Sequence, residues 1–141
     1  MLSRLKRALR GFRHTPWHPQ WLLPKRDGIA SWVTLNCCGR VLDIGCADRW
    51  IERELVPGCE YIALDYPATG HDLYGARPDV FADARNLPFK DASIDNVLFL
   101  EVAEHLRHPR ESLLEIARVL RPGGGLLMSI PFLYPIHEAP F

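Results

Sequence analysis

Several common signatures are missing from these 141 residues. Cys37 and Cys38 are adjacent, Cys46 and Cys59 stand apart, and no C-x-x-C pair occurs. That pattern suits neither a disulfide framework nor a zinc ribbon. No apolar run approaches the roughly 18 residues needed to cross a membrane. The opening "MLSRLKRALRGFRHTPW" is basic, without the continuous apolar stretch and small-residue cleavage site of a secretory signal. A cytoplasmic chain with no transmembrane segment is expected. Two phosphate-binding signatures are also missing: the spaced glycines of G-x-G-x-x-G, and the Gly-Lys-Ser/Thr of a P-loop. There is no internal repeat and no low-complexity segment.

What is present is unevenly charged. The net charge is zero. Residues 1–26 nevertheless hold Arg4, Lys6, Arg7, Arg10, Arg13, Lys25 and Arg26 and no acid, so the rest is acidic. Such a head can meet a phosphate surface, an anionic membrane or the acidic body of its own chain; the last is the simplest reading. Leu2, Leu5, Leu9 and Phe12 fall at helical spacing and suggest a short amphipathic helix. "HTPWHPQWLLPKRDG" then reads as irregular, and "IASWVTLN" as a short helical lead-in. Residues 1–36 are therefore expected to form a basic, Trp- and Pro-containing segment ahead of one domain over 37–141.

From residue 40 the pattern is regular. "RVLDIG" and "EYIALDY" read as buried parallel strands, "WIERELV" as a short helical piece, "DVFADA" as a brief strand and "SIDNVLFLE" as the best strand. "PRESLLEIARVLRPGG" reads as a helix. Leu113, Leu114, Ala117 and Leu120 would share its inner face, Pro109 would stand in its first turn, and Gly123 would close it. His108 would cap it, and Arg118 and Arg121 would oppose its dipole. "GLLMSIP" follows as a fifth strand. The order predicts an open, mainly parallel, doubly wound α/β sheet of about five strands.

Four successive strand ends carry an acid: Asp43, Asp65, Asp83 and Glu101. Asp is common in turns and caps, so one such residue means little. Four would build an acidic rim outside the carboxyl ends of the strands, where ligands of open α/β sheets bind. Asp65 lies 20 residues beyond Gly45, the position from which an acid takes both ribose hydroxyls of an adenosine cofactor. After Gly45 come Cys46, Ala47, Asp48 and Arg49. A pyrophosphate needs close backbone approach and would be repelled by a carboxylate there. A cofactor with a ribose, no phosphate and a positive centre fits better.

These residues resemble class I S-adenosylmethionine-dependent methyltransferases, in particular the broad small-molecule group. "VLDIGCADRW", "YIALDY", "FADARNLPFKDASIDNVLFLEVAEHL" and "VLRPGGGLLMSIP" look like that family's successive motifs, over roughly residues 40–135. The resemblance implies a Rossmann-like core with S-adenosyl-L-methionine as cofactor. Asp43 would steady the loop and face the methionine end. Gly45, with Cys46 beside it, would let the backbone approach the methionine part. Asp65, with Tyr66 beside it, would bind the ribose. Asp83 would accept the adenine amino group, with the Ala84 backbone at the ring and Leu87 packed near it. Glu101 would sit at the methyl-transfer mouth. The family loop usually reads D-x-G-x-G-x-G; here its second and third glycines are Ala47 and Arg49.

"EVAEHL" contains Glu101, Glu104 and His105 as E-x-x-E-H. A similar run binds a divalent metal in some ubiquinone-pathway O-methyltransferases and in small-RNA 2′-O-methyltransferases, where a metal can orient a hydroxyl and lower its pKa. Metal-independent members carry a like pair, so no metal is expected. His105 is then the best general base, and His137 a further metal candidate only if the tail folds back. A complete domain of the family has seven strands, and this chain is expected to lack the last two. Its fifth strand would be an exposed apolar edge, covered by a second copy, by residues 1–36, or by nothing. The leading expectation is methylation of a small-molecule or glycan-type acceptor. The alternatives are a non-catalytic cofactor-binding or interaction module and an RNA 2′-O-methyltransferase; the acidic body argues against nucleic acid.

Overall fold

The computed structural model describes residues 25–67 and 77–130. The basic head up to residue 24, and the tail with His137, lie outside the described residues. The elements run α1 (Lys25–Asn36), β1 (Arg40–Ile44), a 3-10 turn (Glu52–Glu54), β2 (Glu60–Asp65), β3 (Val80–Phe81), β4 (Ile94–Leu100), a second 3-10 turn (Ala103–His105), α2 (Pro109–Val119) and β5 (Leu120–Ser129). The strands form one sheet in the order β3-β2-β1-β4-β5. Every pairing in it is parallel. The expected open parallel α/β sheet of five strands is the observed one.

Both faces of the sheet are covered, which explains why its strands read as continuous apolar runs. Leu42, Ile44, Ile62, Leu64, Val97 and Phe99 pack on one side with Ile116 and Val119 of α2. Val41 and Leu98 pack on the other with Val33 of α1 and Ile51. Phe99, Leu42, Ile44 and Leu64 are wholly buried, each contributing about 1.5–3 kcal/mol through removal from water. Helix α1 thus lies within the sheet's own layers, although residues 29–36 read in sequence only as a lead-in.

Helix α2 departs from expectation in two ways. Its buried positions are Ser112, Ile116 and Val119, with Leu113 packed alongside, whereas Leu114 is 54% exposed and Ala117 is exposed. The inward seam is therefore the i, i+4, i+7 row through Ser112, one position away from the row chosen on apolarity. The helix also ends early. Leu120 is already extended and pairs with Ile94, after which the register jumps to Asn96 with Gly125. Gly123, at φ +82°, turns the chain inside that irregularity and does not cap the helix. Pro122 has no N–H to continue either element. Arg121 likewise leaves the helix end and binds Asp95 at 2.6 Å. Pro109 stands in the first turn as expected, while His108 occupies the N-cap with no side-chain cap bond.

Candidate cofactor site

Strand order reverses between β1 and β4, and the carboxyl ends of β1, β2 and β4 meet there, at the switch point where open α/β sheets take ligands. The loop after β1 is the first wall. Gly45, Ala47 and Arg49 have φ values of +77°, +43° and +57°. Side-chain-bearing residues rarely adopt this left-handed region. The backbone of a glycine loop is therefore kept at two positions without glycine, at a cost of order 1 kcal/mol each.

The loop is held by long-range partners. The N–H groups of Gly45 and Cys46 donate to the Leu64 carbonyl at 2.8 and 3.1 Å. The Ala47 N–H donates to Asp65 Oδ2 at 3.2 Å, and the Tyr66 N–H to Asp65 Oδ1 at 2.8 Å. Asp65 is buried at the end of β2 and faces the loop, the Cys46 thiol lying 3.9 Å from its Oδ2. Arg49 braces the far side. Its guanidinium donates to Glu52, to the Arg77 carbonyl at 2.9 Å and to Asp79 at 3.0 Å, and lies 5.2 Å from the centre of the Tyr61 ring. Partial desolvation of the exposed Asp79 carboxylate opposes its ionisation; the Ala63 N–H and Arg49 outweigh that and hold it below the ordinary carboxylate range. Asp48 accepts the Trp50 N–H at 3.3 Å within its own turn.

Asp43 lies deepest, 4% exposed. Tyr61 donates its hydroxyl to Asp43 Oδ2 at 2.6 Å. Burial pushes the Asp43 carboxyl up to about 6; Asp65 adds to the rise, and Tyr61 and Arg49 oppose it. Burial, reinforced by Asp43, keeps the Tyr61 hydroxyl protonated. Burial beside Asp65 and Asp43 also pushes the Cys46 thiol up to about 12, so Cys46 is no nucleophile near neutrality. Two adjoining buried carboxylates with one hydroxyl donor make a setting that a fixed cation would relieve.

The remaining predicted residues stand around this centre. Asp83 lies beyond β3, with its carboxylate clasped by Arg85 at 2.6–3.1 Å. That contact holds it below the ordinary carboxylate range. Ala84 and Leu87 are buried in the core cluster behind it. Glu101, just past β4, has φ +57° and accepts the Ser129 hydroxyl at 2.9 Å. His105 Nε2 is 3.8 Å from Glu104 Oε1. Among the described residues, no three His, Cys, Asp or Glu side chains are grouped to hold a metal, so Glu101, Glu104 and His105 do not converge. Tyr61 and Asp79 were not singled out in sequence as parts of this centre, and Arg49 stood out only as a departure from the loop's glycine pattern. Only the register could reveal Tyr61: Val41 pairs with Tyr61 and Asp43 with Ala63, which sets Asp43 and Tyr61 diagonally on one face.

Fold and site together define a Rossmann-like α/β protein with a left-handed loop closed onto buried carboxylates at the switch point of its sheet. A family profile described as "Methyltransferase domain" matches residues 42–128. The phthiotriol/phenolphthiotriol dimycocerosates methyltransferase 1 of Mycobacterium ulcerans is 39% identical over 74% of this chain and 44% of its own length. The 27-O-demethylrifamycin SV methyltransferase of Amycolatopsis mediterranei is 31% identical over 77% and 44%. Among solved structures, the methyltransferase bound to the Haloferax volcanii Trm112 methyltransferase activator superposes with a TM-score of 0.60. It is 25% identical, over 74% of this chain and 50% of that one. The chain belongs to the methyltransferase-domain family. It spans less than half the length of the two curated relatives. Among the described residues, no helix is long and apolar enough to cross a membrane.

Proposed function

We propose that the protein is an S-adenosylmethionine-dependent methyltransferase acting on a small-molecule or glycan-type acceptor. The observation that carries this is the β1 loop, left-handed at Gly45, Ala47 and Arg49 and closed onto the Asp65 carboxylate. The donor set suits the cofactor. Asp65 accepts from the loop and keeps lone pairs for ribose hydroxyls. Asp43, buried and hydrogen-bonded by Tyr61, gains from a sulfonium nearby. The Ala84 backbone borders the base, the buried Ala84 and Leu87 side chains anchor that segment in the core, and Asp83 offers an acceptor once Arg85 moves aside.

When bound, the cofactor supplies an electrophilic methyl group. The chain's part is alignment: the loop and Asp65 hold one end, the Asp83–Leu87 segment the other, and Glu101 borders the mouth. Holding acceptor and methyl in line provides much of the rate in such displacements. His105 takes the proton from an acceptor hydroxyl, and His105→Ala would then lower turnover about 100-fold or more while leaving cofactor affinity unchanged. No metal is assigned. A cytoplasmic location goes with this reading, supported by four free cysteines.

Calorimetry with S-adenosylmethionine and S-adenosylhomocysteine tests the cofactor. Binding that Asp65→Ala weakens at least tenfold is expected, as for loss of hydrogen bonds to a charged group. A wild-type protein that binds neither compound rules the reading out. A homodimer across β5 is part of the proposal, because β5 is the last strand of the described sheet and Leu126 on it is 38% exposed. A monomer by light scattering at micromolar concentration would remove that part alone.

A further inference from the structure

The segment between β3 and β4 lacks regular structure, yet it is tied closely to α2. Glu115 and Arg118 lie three residues apart on that helix, hence on one face. Glu115 Oε2 accepts the Leu87 N–H at 2.9 Å, and Arg118 donates to the Leu87 carbonyl at 2.9 Å. Both polar groups of one residue's backbone are thus gripped by two side chains of a single helix. Arg118 reaches on to the Phe89 carbonyl at 2.8 Å and to Asp91 at 2.7 Å. The pair is locked to itself, with Arg118 on Glu115 at 2.7 and 2.8 Å. Carbonyls at the end of α2 complete the seam: those of Arg118 and Val119 accept the Ala92 and Ser93 N–H groups at 3.0 and 2.9 Å. Meanwhile the Leu87 side chain is 2% exposed and fixed in the core.

The geometry points to Glu115 and Arg118 as positioning residues for the base of the cofactor, acting through the Leu87 backbone and touching no ligand themselves. This rests on the adenosine reading proposed above and extends it to the far side of the sheet. The physical reason is rigidity. A base edge is read by hydrogen bonds only if acceptor and base keep their register to within a few tenths of an ångström. Asp83 and Ala84 belong to a segment with no ladder of its own. Its fixed point is Leu87, and the fork of Arg118 with the carboxylate of Glu115 supplies what a ladder would. A lysine carries the charge but cannot bridge these separated acceptors in one plane.

The test compares S-adenosylhomocysteine with its 6-oxo analogue, in which the base amino group is replaced by oxygen, by calorimetry on the full chain. Wild type is expected to prefer the adenine compound. Arg118→Met is expected to reduce that preference about tenfold, and Glu115→Gln to reduce it less. Arg121→Met is the control. Arg121 forms an ion pair with Asp95 at 2.6 Å, away from Leu87, and its loss should leave the preference intact. A merely structural role for Arg118 would weaken both compounds equally and leave their ratio unchanged. If Arg118→Met does not fold, Arg118→Lys provides the same comparison with an intermediate loss expected. A wild type without preference, or a folded Arg118 variant that keeps it, overturns the inference. A wild type that binds neither compound overturns the cofactor reading beneath it, and the two failures are thereby distinguished.

Discussion

Replacing Asp43 by asparagine should stabilise the ligand-free protein at pH 8 and not at pH 4. The buried Asp43 carboxyl has its pKa raised from 3.8 to about 6, so the native state keeps a proton that the unfolded chain has released. As pH rises through that window, stability falls, and above pH 6 the whole cost is present. At about 1.4 kcal/mol per pH unit it amounts to about 3 kcal/mol. Asparagine removes the charge and can still accept the Tyr61 hydroxyl, although its amide N–H groups need partners of their own. That second effect does not depend on pH. The clean quantity is therefore the difference between two conditions: the substitution should be about 2–3 kcal/mol more favourable at pH 8 than at pH 4. In a chain of this size that corresponds to a melting shift of roughly 7–10 °C. Urea unfolding of both proteins at the two pH values provides the comparison. A substitution effect equal at both pH values would mean that Asp43 ionises as an ordinary carboxylate, and the argument from burial would fail. The same charge should govern the ligand: affinity for a sulfonium cofactor is expected to drop as pH falls below about 6.

Three further outcomes follow from the loop and its surroundings. Ala47→Gly should raise stability by about 0.5–1 kcal/mol, because glycine accepts φ +43° without strain; chemical denaturation would show it. Gly45→Ala should cost about 2–3 kcal/mol and weaken cofactor binding, since φ is +77° and a Cβ would run into the Val102 side chain; thermal melting with and without S-adenosylhomocysteine reads both effects. Arg85→Ala should tighten S-adenosylhomocysteine binding up to about fivefold by uncovering the Asp83 carboxylate; unchanged or weaker binding would indicate that Arg85 does not compete with the base.

The strand pattern was readable because its cause is local. Continuous apolar runs ended by an acid located β1, β2 and β4 to within a residue, and Pro109 marked the first turn of α2. Asp43 and Asp65 could be picked out because an acid among the last residues of a buried strand lies at the carboxyl end of the sheet. The inward face of α2 was misread. Leu114 is more apolar than Ser112, yet Ser112 is buried and Leu114 exposed, because the direction of the seam is imposed by the sheet beneath it. The early end of the helix was missed for a similar reason: Leu120 is claimed by Ile94 on a strand 26 positions earlier.

The sequence by itself determined the class of fold, the order of its elements and the acid-bearing strand ends, all consequences of short-range periodicity and turn chemistry. The tertiary structure decided what those acids are. Only packing against the core makes Asp43 a high-pKa carboxyl paired with Tyr61, and only strand order brings Asp65 against the Ala47 N–H. Only the docking of α2 lets Glu115 and Arg118 grip Leu87, some 30 residues away. Burial and partnership depend on residues distant in the chain, and a linear pattern carries no record of which distant groups will meet.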